Sequence, residues 1–179
     1  VNKKIGSNYK LFNYYGPRDA KRVIICMGSA CETIEETVDH LNAAGDKVGL
    51  IKVRLYRPFS AKHLIAAIPD SVEAISVLDR TKEPGSIGEP LYLDVCAALK
   101  GSKFETVPVY TGRYGLGSKD TTPGQIVAVY RNMETARPKK RFTIGINDDV
   151  TKLSLKVREN LDTTPRGTRS CKFWGLGSD

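Results

Sequence analysis

Short apolar runs alternate with amphipathic stretches along most of the chain. The run Val23–Met27 (VIICM) is apolar at every position, which is typical of a strand buried on both faces of a sheet. In the stretch that follows, Ile34, Val38 and Leu41 are spaced four and three residues apart, so it is predicted to be a helix with one apolar face. Together they predict a strand followed by a helix.

This strand–helix unit recurs along the chain. The predicted strands are Val23–Met27, Val48–Leu55, Ala74–Leu78, Thr106–Thr111 and Arg141–Ile146. The predicted helices begin at about Ser29, Ala61, Glu89 and Thr122, and Ser29 and Thr122 each fit a capping box with the Glu or Gln three residues later. Because parallel strands need crossover connections, this alternation predicts a three-layer α/β domain with a mostly parallel sheet of about five strands and helices on both faces.

Composition divides the 179 residues into three parts. Residues 1–19 form an N-terminal arm, residues 20–149 the α/β domain, and residues 150–179 a polar linker followed by the truncated start of a further domain. The chain does not begin with Met, and no signal peptide is apparent. We therefore expect an internal piece of a longer protein.

The net charge of +8 is concentrated near the C-terminus, where residues 137–179 contain ten basic and five acidic residues. This basic segment lacks the interleaved aromatic residues that single-strand binders use for stacking, so we expect no nucleic acid partner and interpret it as a solvated or partner-facing tail. No apolar run approaches the roughly 20 residues of a membrane span, which predicts a protein without a membrane segment.

The four cysteines, Cys26, Cys31, Cys96 and Cys171, show neither a CxxC spacing nor a disulfide framework. This usage favours a reducing compartment, and we expect a cytoplasmic protein. Cys31 falls in the first turn of a predicted helix, where the helix dipole would lower its pKa, although simple packing is the favoured interpretation. A ferredoxin-type cluster is not predicted from this spacing.

Candidate chemistry lies at the carboxyl ends of the predicted strands, where ligands bind in open α/β sheets. The residues that we select there for anion binding or contacts between domains are Ser29, Arg80, Lys82, Arg113, Ser118, Lys119 and Thr122. The alternative is that Gly, Ser and Thr there only build turns and caps, and it is favoured because no GxGxxG or P-loop motif is present. No triad, metal cluster or carboxylate pair is apparent, so no catalytic or metal-binding residue is predicted.

Four segments of the chain carry a dense resemblance to a known family. They are MGSACETIEETVDHLNAAGDKVGLIKVRLYRPFSAKHLIAAIP, VLDRTKEPGSIGEPLYLDV, GRYGLGSKDTTPGQIVAVYRNM and KKRFTIGINDDVT. They resemble one internal stretch of pyruvate:ferredoxin (flavodoxin) oxidoreductase, a large thiamine diphosphate enzyme. The resemblance implies the family's second domain, which is similar to the C-terminal domain of transketolase.

The last residues, CKFWGLGSD, resemble the opening of the family's next domain, which is associated with coenzyme A. The resemblance assigns a coenzyme A role only to the start of this loop, which comprises Gly175, Leu176, Gly177, Ser178 and Asp179. In the parent family, pyruvate and coenzyme A become acetyl-CoA and carbon dioxide, with electrons passing through iron–sulfur clusters to ferredoxin or flavodoxin.

The resemblance further implies that thiamine diphosphate, magnesium and the iron–sulfur clusters belong to other domains of a homodimeric parent. We therefore expect this chain to bind no cofactor, to be inactive alone, and to contact the remaining domains as a structural part of the enzyme. The alternative from the residues is an independent α/β module that binds a phosphate-bearing molecule through its strand-end loops.

Overall fold

A computed structural model of the chain describes residues 2–147, 149–158, 161–172 and 174–175. Six strands form one sheet in the order β1-β3-β2-β4-β5-β6. The strands are β1 Phe12–Tyr15, β2 Arg22–Cys26, β3 Val48–Val53, β4 Ala74–Asp79, β5 Val109–Arg113 and β6 Arg141–Thr143. Strands β2 to β6 pair in parallel with their neighbours, and β1 pairs antiparallel with β3.

Helices cover both faces of this sheet. They are α1 Asn2–Ile5, α2 Ala30–Ala43, α3 Ala61–Ala67, α4 Pro90–Leu99 and α5 Pro123–Glu134, with a short 3-10 turn at Leu116–Ser118. Helices α2 and α5 pack with Leu50 and Phe142 on one face, and α3 and α4 pack with Ile25 and Ile51 on the other. Two apolar layers against one sheet explain why every position of β3 and β4 is buried.

The predicted three-layer α/β fold with a mostly parallel sheet is therefore confirmed. The structure adds β1 as a sixth strand, within the segment that the sequence assigned to an arm. Its sequence, FNYY, has only Phe12 fully buried, because an antiparallel edge strand contacts the sheet along one side. Such a strand has no continuous apolar run, so the apolar pattern of the sequence does not predict it.

The two predicted capping boxes have different outcomes. At the start of α5, Thr122 is extended and its N–H donates to Oε1 of Gln125 at 3.4 Å, as the sequence predicts. At the start of α2 the prediction is wrong, because Ser29 has helical dihedral angles and its side chain makes no capping hydrogen bond. Its expected partner, Glu32, instead reaches Nζ of Lys52 at 3.3 Å.

None of the helices in the described ranges is long and apolar enough to cross a membrane.

Candidate functional site

Three loops meet at the carboxyl ends of β2, β4 and β5, and Tyr114 joins them. Its hydroxyl donates to the carbonyl of Met27 after β2 at 3.1 Å, and its backbone N–H donates to the carbonyl of Asp79 at the end of β4 at 3.1 Å. Burial, followed by the nearby Cys26 thiol, raises the pKa of Tyr114, so the phenol stays protonated and can donate. These bonds hold the loops in fixed relative positions.

Asp79 caps helix α4 from the neighbouring strand. It is buried, and its two carboxylate oxygens accept the backbone N–H groups of Leu91 and Tyr92 at 3.0 and 3.2 Å. Pro90, at the first helical position, has no N–H to satisfy. Burial raises the pKa of Asp79, and the two accepted N–H groups oppose that effect only in part.

Glu89 lies immediately before α4 and is completely buried. Its Oε1 accepts a hydrogen bond from Nε of Arg113 at 2.5 Å, and its Oε2 accepts a hydrogen bond from the hydroxyl of Thr111 at 2.8 Å. Thr111 and Arg113 are two residues apart on β5, so both side chains point to the same face of the sheet. The result is a buried ion pair between Glu89 and Arg113 at the carboxyl ends of the strands.

The loop between Asp79 and Glu89, residues 80–88, is anchored at both ends by these buried carboxylates. Its middle is open to solvent: Arg80, Lys82 and Glu83 are exposed, and Ile87 is 87% exposed. Strand β6 supports the loop, because Nη2 of Arg141 donates to the carbonyl of Ile87 at 2.6 Å. We call residues 80–88 the strand-end loop; it exposes one large apolar side chain and three charged ones between two anchored ends.

The loop after β5, residues 114–122, lies against the first part of the strand-end loop. Gly115 has a φ of +62°, and a Cβ atom there would lie 2.9 Å from Nε of Arg80. The side chain of Arg80 therefore rests on a position that only glycine allows. Beyond it, Ser118, Lys119 and Thr122 are exposed.

The structure brings only some of the predicted site residues together. Arg80 contacts the loop after β5, whereas Arg113 is nearly buried and its Nε is occupied by Glu89. Side-chain hydrogen bonds and ion pairs are absent, within the described residues, from Ser29, Lys82, Ser118 and Lys119. Gly175 is exposed with open space around it, and Leu176, Gly177, Ser178 and Asp179 lie outside the described residues.

The cysteines do not form a cluster that could hold a metal centre. Cys26 and Cys31 are buried near each other, with Sγ of Cys31 donating to the carbonyl of Cys26 at 3.4 Å, while Cys96 is half-buried and Cys171 exposed. Groups of three or more metal-binding side chains are absent from the part of the chain that the structure describes. The positions of the four cysteines do not fit an iron–sulfur cluster.

The pKa of Cys31 is lowered, as its position predicted, but the cause differs. The neighbouring Cys26 thiol contributes most, and the positive charges of Lys52 and Arg54 add to the effect. The pKa of Cys26 is raised, first by the hydrogen bond between its thiol and that of Cys31 and then by burial.

Sequence reasoning missed the polar residues that organise this edge of the sheet: Asp79, Glu89, Thr111 and Tyr114. A signal existed for Asp79, which follows a buried strand and precedes a helix by a short loop. For Glu89 there was none, because glutamate at a helix start is ordinarily exposed.

Comparison with known proteins assigns this chain to a family. The family model described as pyruvate:ferredoxin oxidoreductase core domain II matches residues 20–126. The chain therefore belongs to the pyruvate:ferredoxin oxidoreductase core domain II family.

Two curated relatives show how the chain compares with longer proteins. It is 57% identical over 174 residues to the pyruvate:ferredoxin oxidoreductase of Moorella thermoacetica and 58% identical over 175 residues to the pyruvate-flavodoxin oxidoreductase of Enterobacter agglomerans. Each alignment covers 97% of this chain but only 15% of the relative. The chain thus spans about 15% of the length of these relatives.

A solved structure shows the same fold at lower similarity. It is a 2-oxoglutarate:ferredoxin oxidoreductase from Magnetococcus marinus, with a TM-score of 0.51 and 20% identity. The alignment covers 71% of this chain and 20% of that chain. At this identity the likeness supports the α/β fold alone.

Proposed function

We propose that this chain is the structural, inter-domain part of a thiamine diphosphate-dependent pyruvate:ferredoxin (flavodoxin) oxidoreductase. The observation that carries the proposal is the identity of 57–58% over nearly the whole chain to proteins of which it is a small internal portion. The parent would convert pyruvate and coenzyme A to acetyl-CoA and carbon dioxide and pass the electrons through iron–sulfur clusters to ferredoxin or flavodoxin.

The cofactors of that reaction are assigned to other domains of the parent. Within the described residues the cysteines are too scattered for a cluster, and the buried carboxylates Asp79 and Glu89 are already occupied by backbone N–H groups and by Arg113. The polar groups of the strand-end loop therefore serve contacts between domains better than chemistry. The alternative of an independent phosphate-binding module is not supported by these relatives.

The strand-end loop is the surface that we assign to a neighbouring domain. Its two ends are fixed by buried carboxylates, and the residues between them include the exposed Ile87, Arg80 and Lys82. An exposed large apolar side chain together with an arginine is typical of a surface that binds another protein. We assign Ser118, Lys119 and Thr122 of the adjoining loop, and Ser29 after β2, to the same contact.

The proposed organisation keeps residues 20–149 as the body of the α/β domain, and β1 of the preceding segment adds the edge strand of its sheet. Residues 150–179 would connect this domain to the coenzyme A-associated domain, with Gly175–Asp179 beginning its loop. The remaining domains of a homodimeric parent are the partners, and the four free cysteines fit a cytoplasmic location.

An activity assay of the isolated chain tests the structural role. We expect no release of carbon dioxide from carboxyl-labelled pyruvate when the chain is supplied with thiamine diphosphate, magnesium, coenzyme A and an electron acceptor. A full-length relative assayed in parallel provides the positive control. Turnover by the isolated chain would overturn the proposal.

Titration calorimetry separates the structural role from ligand binding. We expect neither thiamine diphosphate nor coenzyme A to bind the isolated chain with micromolar affinity. Micromolar binding that survives deletion of residues 170–179 would instead assign a phosphate site to the strand-end loops.

A further inference from the structure

A large groove lies beside the edge strand β1, and nothing in the proposed function uses it. It has a volume of about 1540 Å³ and lies between the N-terminal segment, the residues after β3 and helix α3. A second cavity of about 220 Å³ shares five of its lining residues, including Tyr9 and Arg54. We call the larger cavity the arm groove.

The arm groove is strongly cationic. Its lining includes four exposed basic residues that form no ion pair among the described residues: Lys3, Lys10, Arg18 and Arg54. The one acidic residue in its described lining, Asp70, is already paired with Lys103. By contrast, Lys21 and Lys47, outside the groove, each pair with a carboxylate. The groove thus gathers positive charge that the described chain leaves uncompensated.

Two exposed apolar side chains lie among these charges. Tyr9 is 58% exposed and Leu55 is 40% exposed, and both line the groove. The guanidinium carbon of Arg54 lies 5.7 Å from the centre of the Tyr9 ring, so that ring and charge form one continuous surface. Arginine and tyrosine are the residue types enriched where proteins bind other polypeptides.

A strand edge also borders the groove. Within the described residues β1 pairs with β3 on one side alone, and Phe12, Asn13 and Tyr14 of β1 line the groove. An unpaired strand edge offers backbone groups to an extended polypeptide.

The size and chemistry of the groove indicate which class of molecule fits it. A volume of about 1540 Å³ exceeds the roughly 300–1,000 Å³ of small-molecule sites. Single-stranded nucleic acid needs successive aromatic side chains for stacking, and Tyr9 is the one strongly exposed aromatic residue of the described lining. An extended peptide uses the length, the charge and the apolar patch together.

We propose that the arm groove binds an acidic polypeptide segment. Its carboxylates pair with Lys3, Lys10, Arg18 and Arg54, and an apolar side chain between them packs on Tyr9 and Leu55. This assignment rests on the groove alone and does not require the proposed oxidoreductase role.

The test uses the full 179-residue chain and a fluorescein-labelled peptide of glutamates around one central leucine. We expect saturable binding by fluorescence anisotropy at low salt that weakens steeply as the salt concentration approaches ~0.2 M, because exposed charges are then screened. The double variant Arg18→Gln/Arg54→Gln should weaken binding by about tenfold, the effect expected from two exposed ion pairs.

A matched variant removes two positive charges elsewhere. Lys140→Gln/Lys156→Gln changes two exposed lysines outside the groove and should leave the affinity within about twofold of the original, because distant exposed charges are screened. Circular dichroism confirms that both variants fold. Absence of saturable binding, or an equal loss in both double variants, would overturn the proposal.

Two further probes test the occupant's chemistry. Tyr9→Ser should weaken the leucine-containing peptide but leave a peptide of glutamates alone unaffected. An oligonucleotide of equal charge that binds more tightly than the peptide would assign the groove to nucleic acid and overturn the proposal. Because these measurements involve no turnover, their failure leaves the proposed function untouched.

Discussion

Among single residues, Glu89 is the group on which the buried guanidinium of Arg113 depends. Replacing it by alanine leaves that charge buried without a counter-ion, so we expect Glu89→Ala to lower the free energy of unfolding by about 3–5 kcal/mol. The double variant Glu89→Leu/Arg113→Met should recover part of this loss, because no charge is then left unpaired. Urea unfolding measures all three proteins.

An exposed pair provides the control for this prediction. Glu73 pairs with Lys21 at the surface, where solvent screens the interaction. Glu73→Ala should leave the urea midpoint almost unchanged. Similar losses for Glu89→Ala and Glu73→Ala would mean that the buried pair has no special role.

Gly112 of β5 pairs with Leu78 of β4 and Phe142 of β6. A Cβ atom there would lie 2.4 Å from Cε2 of Phe142 and 2.6 Å from Cδ2 of Leu78. We expect Gly112→Ala to lower the free energy of unfolding by about 1–3 kcal/mol, because the buried ring and the leucine must shift. Gly175→Ala, in open space, is the matched substitution, and equal stability of the two variants would contradict the prediction.

Asp79 gives stability a characteristic dependence on pH. Burial raises its pKa in the folded chain above the ordinary value of an aspartate, so the folded state holds that proton more tightly. The stability that Asp79 contributes is therefore present below its unfolded pKa and is lost as the pH rises through the raised value. The difference in unfolding free energy between the natural chain and Asp79→Asn should fall with rising pH.

The measurement is urea unfolding of both proteins between about pH 3 and pH 7, the range that brackets ordinary and raised carboxyl pKa values. A difference that grows with pH would mean that the N–H groups of Leu91 and Tyr92 outweigh burial.

The residue scale is also where the sequence predicted least. Arg80 and Lys82 were selected as strand-end residues and are exposed there, but Arg113, selected for the same reason, is nearly buried against Glu89. The burial of Arg113 follows from alternation along β5 and from the position of Glu89 before α4. That pairing joins residues 24 positions apart, and such contacts leave no local pattern.

At the scale of elements, β1 contributes more than an arm would. Phe12 is buried and packs edge-on against Phe59 with ring centroids 5.4 Å apart. A chain that starts at Gly16 should therefore lose at least about 3 kcal/mol of unfolding free energy, the usual effect of removing a buried phenylalanine. A chain that starts at Leu11 keeps β1 and should retain most of its stability.

Thermal unfolding of the two truncated chains measures this difference. The exposed edge of β3 should also make the shorter chain aggregate. Equal melting temperatures would show that β1 is dispensable and that the arm ends where the sequence placed it.

Strands and helices were predictable where buried apolar residues recur at a regular spacing in the sequence. The runs around β2 and β4 and the apolar face of α2 were found because both layers of the core impose a regular period. Boundaries depended on less regular features: the last predicted strand, Arg141–Ile146, ends at Thr143 in the structure. Ser29 failed as a cap because the loop from β2 enters α2 already in helical geometry.

For the whole molecule, the parallel sheet brings the ends of β2, β4 and β5 to one edge, where Tyr114 joins their loops. The sequence predicted this convergence and the family, because both follow from long contiguous patterns. It did not predict the arm groove, which arises where residues from distant parts of the chain meet.

The most direct test of the structural role uses the full-length parent enzyme with Arg80→Ala, Lys82→Ala and Ile87→Ser in its strand-end loop. We predict impaired assembly, seen as faster limited proteolysis and a lower melting temperature, with kcat per correctly assembled enzyme unchanged within about twofold, since no catalytic group is removed. Intact assembly with a kcat reduced by about a hundredfold or more would place a catalytic group in this loop and contradict the account.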